Sequence, residues 1–162
     1  MLIIGSCGTL GFAMAASQRR EEASLRQMIQ VLEYMQCELE YRLTPLPELC
    51  RKACYEKKGW VCQVLIKLSE ELECQISPDV SSCMYAALLT CPEIPGSIKK
   101  AFQLLGTTLG NFDVQGQIQG LESVRDYCKR EVEEMSSGRE HRLRSYQTLG
   151  LCAGAALAIL FV

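Results

Sequence analysis

The sequence lacks charged side chains at both of its ends. No Asp, Glu, Lys, Arg or His occurs in residues 1–17 or 145–162, although the 162-residue chain contains 17 basic and 19 acidic residues. All of these charges lie in the part of the chain between the two uncharged ends. A helix that spans a bilayer needs about 20 predominantly apolar residues, with a range of about 17 to 25. The ends therefore predict two membrane spans, residues 1–18 and 145–162, which flank a polar domain at residues 19–144.

Arginine flanks both predicted spans on the side of the central domain. Arg19 and Arg20 follow the first span, and Arg139, Arg142 and Arg144 precede the second. Positively charged residues next to membrane spans are retained in the cytoplasm. The sequence thus predicts a two-span hairpin with both termini outside and the central domain in the cytosol.

The N-terminal segment has an alternative interpretation. Ala13-Met14-Ala15 and Ala15-Ala16-Ser17 resemble the small-residue cleavage site of a secretory signal peptide. Cleavage would give an exported helical domain, anchored at its C-terminus, in which the ten cysteines could form disulfides. An uncleaved span is favoured because no Lys or Arg precedes the apolar segment, whereas two arginines follow it.

The composition provides little for nucleic-acid binding or catalysis. A net charge of −2, one Trp and four Phe supply neither a basic surface nor many stacking side chains. The sequence shows no nucleophile with a paired base, no paired carboxylates in apolar surroundings and no phosphate-binding glycine-rich loop. We therefore expect a non-enzymatic protein that takes no cofactor and binds no nucleic acid.

Cys50 and Cys54 are the strongest candidates for a reactive-thiol or metal site. They stand one helical turn apart and could form a thiol sensor or, with the single histidine His141, part of a metal site. Zinc normally takes four ligands at tighter spacings, and no second pair of ligands lies nearby in the sequence. We expect no metal, and we expect the cysteines to remain reduced in a cytosolic domain and to pack as small apolar side chains.

Apolar residues recur at intervals of three and four along the central domain. Leu25, Met28, Leu32, Met35 and Leu39 show this spacing and predict an amphipathic helix over 23–43. The same spacing predicts five further helices, over 45–58, 60–75, 78–91 and 98–109 and from 114 onward. The fold class is therefore all-α, an antiparallel bundle of about six helices flanked by the two transmembrane helices.

Residues typical of helix ends separate the predicted helices. Thr44, Ser77 and Ser97 are predicted N-caps, and Asp113 is the predicted N-cap of the last helix. Gly59 can end the second helix in the left-handed conformation. Short connections and Pro or Gly at these junctions favour a compact bundle, although Ser-Ser-Gly at 136–138 could bend the last helix.

Two segments carry a resemblance to a known family. The first reads Glu-Leu-Glu-Tyr-Arg-Leu-Thr-Pro-Leu over 38–46, and the second reads Leu-Gly-Thr-Thr-Leu-Gly-Asn-Phe-Asp over 105–113, with Gln117 following. Together with Tyr146, Leu149-Gly150 and Gly154, they resemble stage III sporulation protein AB of spore-forming bacteria. Length, order of motifs and both apolar ends agree, so the resemblance covers the whole chain.

The resemblance implies a mother-cell protein in the outer forespore membrane, within a channel-like complex that joins mother cell and forespore. Its soluble domain would be similar to the cytoplasmic domain of the type II secretion inner-membrane platform protein. By that analogy it would dock or position a cytoplasmic secretion-type ATPase, next to membrane lipids and other membrane subunits, and a homo-oligomer is compatible with this arrangement.

The matched residues have an architectural interpretation beside the functional one. Thr44-Pro45 is typical of a helix start, Gly106 permits close helix packing, and Gly110 with Asp113 can form a C-cap and N-cap pair. The candidates for structure or partner contact are Glu38, Tyr41, Thr44, Pro45, Leu46, Leu109, Gly110, Asp113 and Gln117.

Overall fold

The computed structural model describes the backbone of residues 2–42, 44–74, 79–109 and 113–160, and the side chains of residues 16–42, 44–74, 79–109 and 113–137. Over these residues the chain forms helices and no strand. The helices are α1 (Leu2–Tyr41), α2 (Leu46–Ala53), α3 (Trp60–Cys74), α4 (Val80–Leu89), α5 (Gly96–Thr108) and α6 (Val114–Leu160). The predicted all-α class is confirmed.

One hydrophobic core holds the helices together. The predicted apolar face of α1 is buried, and it belongs to one cluster of buried side chains to which the other five helices also contribute. The largest fully buried residue is Phe102 of α5. Core residues contributed by the helices include Leu25, Met28, Leu32 and Met35 of α1, Leu49 of α2, Leu65 of α3, Met84 of α4 and Leu121 of α6.

The helices follow each other around α1. Each helix contacts the next in the chain, and α6 returns to pack along α1. α5 and α6 are antiparallel, since Thr108 lies against Gly120 at one end while the Tyr127 hydroxyl lies 3.5 Å from the Ser97 carbonyl at the other. The connections between the remaining helices are short, as the bundle prediction requires.

Two helices are much longer than the rest and give the bundle two distinct ends. α1 has 40 residues and α6 has 47, whereas α2 to α5 have 8 to 15. At 1.5 Å per residue, α1 is about 60 Å long. We call the end that contains Glu21, Lys58 and Ser97 the near end, because α1 and α6 continue beyond it. The opposite end, which contains Tyr41, Arg42, Thr44, Pro45, Leu109, Asp113 and Val114, is the far end.

Two of the predicted N-caps are wrong. α2 begins at Leu46 after Pro45, which forms no side-chain cap, and the Thr44 hydroxyl donates to Glu38 instead. α5 follows Pro95, so Ser97 already lies in its first turn and donates to Glu21. In both cases the hydroxyl donates its hydrogen bond to a carboxylate, which is the stronger acceptor.

The predicted N-caps at Ser77 and Asp113 have different outcomes. Ser77 lies outside the described residues, and Asp79 caps α4 by accepting a hydrogen bond from the Ser82 amide at 3.2 Å. Asp113 caps α6, because its Oδ1 accepts from the Gly116 amide at 3.0 Å.

The second helix ends earlier than the sequence predicts. α2 stops at Ala53, where the Cys54 amide closes a tighter turn on the Arg51 carbonyl at 3.2 Å. Glu56 then adopts a left-handed φ of 59°. Gly59 is left-handed as predicted, with φ of 120°, but it precedes α3 and does not end α2.

Small residues permit two close helix contacts. A Cβ on Gly106 would lie 2.9 Å from the Cβ of Met84, so α4 and α5 approach each other closely there. Gly106 thus has the packing role predicted for it. Gly120 likewise permits α6 to approach Thr108 of α5 closely. This second close contact was not predicted from the sequence.

The predicted membrane spans lie almost entirely outside the residues whose side chains are described. In the described part of the chain, we find no helix that is both long enough and apolar enough to cross a bilayer. The domain bounds at 1–18, 19–144 and 145–162 therefore stay a prediction. The backbone of α6 continues as helix through 136–138, the Ser-Ser-Gly segment that could have bent it.

Candidate functional site

The two segments that carry the family resemblance meet at the far end of the bundle. α1 ends at Tyr41 and α6 begins at Val114. The two helices are linked by Gln36, whose Nε2 donates to Oε1 of Glu122 at 3.3 Å and whose Oε1 accepts from Arg125 at 3.3 Å. Since α6 runs back from the far end, this register brings the last turn of α1 beside the first turns of α6.

Part of the candidate set is buried and stabilises this end. The Thr44 hydroxyl donates to Oε2 of Glu38 at 2.8 Å, and Arg42 Nη1 lies 3.3 Å from Oε1 of the same carboxylate. Glu38 and Thr44 are both buried, and Leu109 is fully buried in the core. These three residues therefore have a structural role, because no partner can reach them in the folded bundle.

Other candidates lie at the boundary of the core. Leu46 is half-buried and packs against the core, and Gln117 is half-buried in the first turn of α6, where its amide donates to the Asp113 carbonyl at 2.9 Å. Asp113 is exposed and its side chain caps α6. Gly110 lies outside the described residues.

The remaining candidates, Tyr41 and Pro45, are exposed at this end of the bundle. Together with the exposed Arg42, Asp113 and Val114, we call them the far-end surface. Tyr41 is 80% exposed and Val114 is 40% exposed, although both carry large apolar groups. Pro45 and Arg42 are exposed beside them in sequence. Val114 was not among the predicted residues, because its exposure at the start of α6 follows only from where the helices end.

The arginines that flank the predicted spans lie at or beyond the near end. Arg19 and Arg20 are exposed on α1. The side chains of Arg139, Arg142 and Arg144 lie outside the described residues. The far-end surface and the exposed arginine pair thus occupy opposite ends of the bundle.

The surroundings of Cys50 and Cys54 raise the pKa of both thiols, which is unfavourable for a thiol sensor. Cys50 is buried, and desolvation raises its pKa to about 12. Desolvation, followed by hydrogen bonding to Cys62, also raises the pKa of Cys54. A reactive thiol needs a lowered pKa, so the geometry favours packing over thiol chemistry. Nor do the described residues include a cluster of three His, Cys, Asp or Glu that could hold a metal, and the side chain of His141 lies outside them.

The cysteines of the described region are free thiols. Cys50, Cys54, Cys62, Cys83 and Cys128 are buried, Cys91 is half-buried, and Cys37 and Cys74 are exposed. The buried thiols come from four different helices and fill space in the core.

Comparison with known proteins agrees with this geometry. A family model for stage III sporulation protein AB matches residues 1–162 of the chain. A solved structure of a stage III sporulation protein AB is 15% identical, with a TM-score of 0.67, and the match covers 75% of this chain and 98% of that chain. Among curated proteins, none is similar enough to count as a match. The structural likeness shows a shared helical fold, and the family model accounts for every residue, so this chain belongs to the stage III sporulation protein AB family.

Proposed function

We propose that this protein is a non-enzymatic scaffold of a secretion-like complex between mother cell and forespore, and that its far-end surface docks a secretion-type ATPase. The observation that supports the proposal is that Tyr41, Thr44 and Pro45 of one matched segment and Leu109 and Asp113 of the other lie at the same end of the bundle. These segments are far apart in sequence, and they contain most of the residues that resemble the family. The two apolar ends would anchor the chain in the outer forespore membrane, with the bundle on the mother-cell side.

The position of the far-end surface suits a large cytosolic partner. Along α1, Tyr41 follows Arg20 by 21 residues of continuous helix, which corresponds to about 30 Å. If the membrane boundary lies near residue 18, the far-end surface projects well clear of the headgroups. An ATPase could approach it without contacting the bilayer.

The chemistry of the far-end surface is typical of a binding interface. Tyr41, Pro45 and Val114 offer apolar contact area, while Arg42 and Asp113 supply charge at its edge. Tyr and Arg are enriched among the residues that dominate binding energies. A bulky ring at the end of a rigid helix also loses little conformational freedom on binding.

The buried pair beneath this surface explains why the matched segment includes residues that no partner touches. Glu38 and Thr44 join the last turn of α1 to the connection that leads into α2. This contact holds Tyr41 and Pro45 in a fixed relation to each other. The segment therefore combines a structural element with an exposed surface.

Binding of the full-length chain in mild detergent to the purified ATPase tests this proposal. Tyr41→Glu places a charge at the centre of the far-end surface, and we expect the affinity to fall at least about tenfold. The matched control is Tyr85→Glu, which changes a 59% exposed tyrosine on α4 and should leave the affinity unchanged. Circular dichroism verifies that both variants fold. Equal affinities for the two variants would contradict the assignment of the docking face.

Membrane anchoring is tested separately. The full-length chain should remain in the membrane fraction after alkaline carbonate extraction of sporulating cells. Release into the supernatant would contradict the anchoring part of the proposal and leave the docking face open to test.

A further inference from the structure

A cleft of about 390 Å³ lies at the near end, between α1 and the beginning of α3. It is separate from the far-end surface and is not used in the proposed docking of the ATPase. Its walls include Arg20, Ser24 and Gln27 from α1 and Lys58, Gly59 and Trp60 from the segment that enters α3.

The charge of the cleft has one sign. Both charged side chains in its walls, Arg20 and Lys58, are cations. Arg19 and Lys57, also exposed, precede them in sequence, and Lys57 lies in the wall of a neighbouring pocket beside Tyr34. The exposed Glu56 is the carboxylate of this turn, and it is outnumbered by the cations.

Other carboxylates of this part of α1 already have partners. Glu21 accepts a hydrogen bond from the Ser97 hydroxyl, and Glu22 Oε1 lies 2.9 Å from Arg26 Nη2. The Glu21 carboxylate therefore lies against α5, and the Glu22 carboxylate lies against Arg26 of α1. The cleft retains an excess of positive charge that can attract an anion.

Hydrogen bonds from the half-buried Gln27 hold the backbone of the cleft in place. Gln27 Nε2 donates to the Lys58 carbonyl at 3.1 Å and lies 3.3 Å from the Cys62 sulfur. Gly59 has φ of 120°, and a Cβ there would lie 3.2 Å from Gln27 Oε1. α3 begins at Trp60, so its first amide groups, which have no intrahelical acceptors, lie beside the cleft.

Two aromatic residues accompany the cations. Tyr55 is 76% exposed, and the half-buried Trp60 lies in the wall of the cleft. Residues 54–60 thus combine two lysines with a tyrosine and a tryptophan. Trp and Tyr are enriched at the level of lipid headgroups, where an apolar ring and a polar group are both accommodated.

We propose that this cleft binds the phosphate headgroup of an anionic phospholipid, and that it orients the bundle on the membrane. The inference rests on the proposed anchoring, since the predicted first span ends at residue 18, two positions before Arg20. Juxtamembrane lysines and arginines are attracted to anionic leaflets, and a pair of cations beside free helix amides adds a specific site to that attraction.

The only tryptophan of the chain, Trp60, provides a direct optical probe of the cleft. The full-length protein is incorporated in nanodiscs of phosphatidylcholine alone or mixed with phosphatidylglycerol. We expect the emission of Trp60 to shift to shorter wavelength in the mixed discs, and a headgroup-labelled nitroxide lipid to quench it more strongly there. Equal emission and equal quenching in the two kinds of disc would overturn the proposal.

Matched variants distinguish a specific lipid site in the cleft from non-specific electrostatic attraction of the protein to the anionic membrane. The double variant Arg20→Gln/Lys58→Gln should retain less than about one fifth of the phosphatidylglycerol response, because each cation near the surface contributes about fivefold in affinity. Lys129→Gln/Arg130→Gln removes the same charge from the exposed face of α6 and should retain the full response. If both double variants lose the response equally, the cleft is not a site. Far-UV circular dichroism and thermal unfolding compare their folding, and Arg20→Lys/Lys58→Arg, which keeps both charges, should retain the response.

The source of the phosphate and the anchoring are tested in the same discs. Inorganic phosphate or glycerol 3-phosphate added to phosphatidylcholine discs should not reproduce the shift, and a full shift would assign the cleft to a soluble anion. A chain that does not enter phosphatidylcholine discs at all would contradict the proposed anchoring. A chain that enters them but does not respond to phosphatidylglycerol would contradict only the lipid site.

Discussion

The hydroxyl of Thr44 donates a hydrogen bond of 2.8 Å to Oε2 of Glu38, and both side chains are buried. The other carboxylate oxygen lies 3.3 Å from Arg42, whose own side chain is exposed. This contact closes the connection between α1 and α2 over the end of α1. It thereby determines where Tyr41 and Pro45 stand on the far-end surface.

Removing the hydroxyl should destabilise the bundle. Thr44→Val preserves the shape but leaves a buried carboxylate oxygen without its donor, which costs about 1 to 3 kcal/mol. We expect the free energy of unfolding to fall by that amount in urea denaturation of the full-length chain in mild detergent. Thr90→Val is the control, because the exposed Thr90 bonds only locally, its hydroxyl donating to the Ala87 carbonyl of its own helix. That control should change the stability by less than about 0.5 kcal/mol, and equal losses would contradict the role of the pair.

Adding a methyl group to Gly106 should force α4 and α5 apart. The new Cβ would meet the Met84 side chain at 2.9 Å, and overpacking of this kind costs about 1 to 3 kcal/mol. The better helix propensity of Ala offsets only about 1 kcal/mol of this. Gly96→Ala is the matched control, since nothing lies within 4 Å of its Cβ position. Chemical denaturation should show a loss for Gly106→Ala and none for Gly96→Ala, and the reverse order would refute the close contact.

Alkaline pH should destabilise the protein through its buried thiols. Burial raises the pKa of Cys50 from 9.0 to about 12, and desolvation raises the pKa of Cys128 to about 12 as well. The folded protein therefore keeps protons that the unfolded chain releases above about pH 9. The unfolded state binds fewer protons there, so stability falls as pH rises from about 9 toward 12, by up to about 1.4 kcal/mol per pH unit for each thiol.

The contribution of one thiol can be measured by difference. Between about pH 8 and about pH 10, Cys50→Ala should lose about 1 to 1.5 kcal/mol less stability than the parent chain. Cys37→Ala, which changes an exposed cysteine, should lose as much as the parent. Parallel pH profiles for all three proteins would show that Cys50 ionises equally in the folded and unfolded chains.

The helices could be predicted from the sequence because their signal is local. The spacing of Leu25, Met28, Leu32 and Met35 places them on one face of a helix, and that face is the buried one. The N-caps at Thr44 and Ser97 were predicted wrongly because each hydroxyl donates to a carboxylate of α1, and for Ser97 this acceptor is far away in sequence. The acceptor of the Ser97 hydroxyl, Glu21, is 76 residues away in sequence, and no local pattern indicates it.

The candidate site could be predicted only in part. The family resemblance selected segments 38–46 and 105–113 with Gln117, but it could not separate the buried Glu38 from the exposed Tyr41, because that depends on where α1 ends. The near-end cleft was not predicted, since Arg20 and Lys58 come together only when the turn after α2 folds back onto α1.

The central claim is that the far-end surface contacts the ATPase, and photo-crosslinking in sporulating cells tests it most directly. A photoreactive amino acid replaces Tyr41 in the full-length chain, and in a parallel strain it replaces Tyr85 on α4, which is also exposed. We predict a crosslink to the ATPase from position 41 and none from position 85. A crosslink from position 85 with none from position 41 would contradict the account.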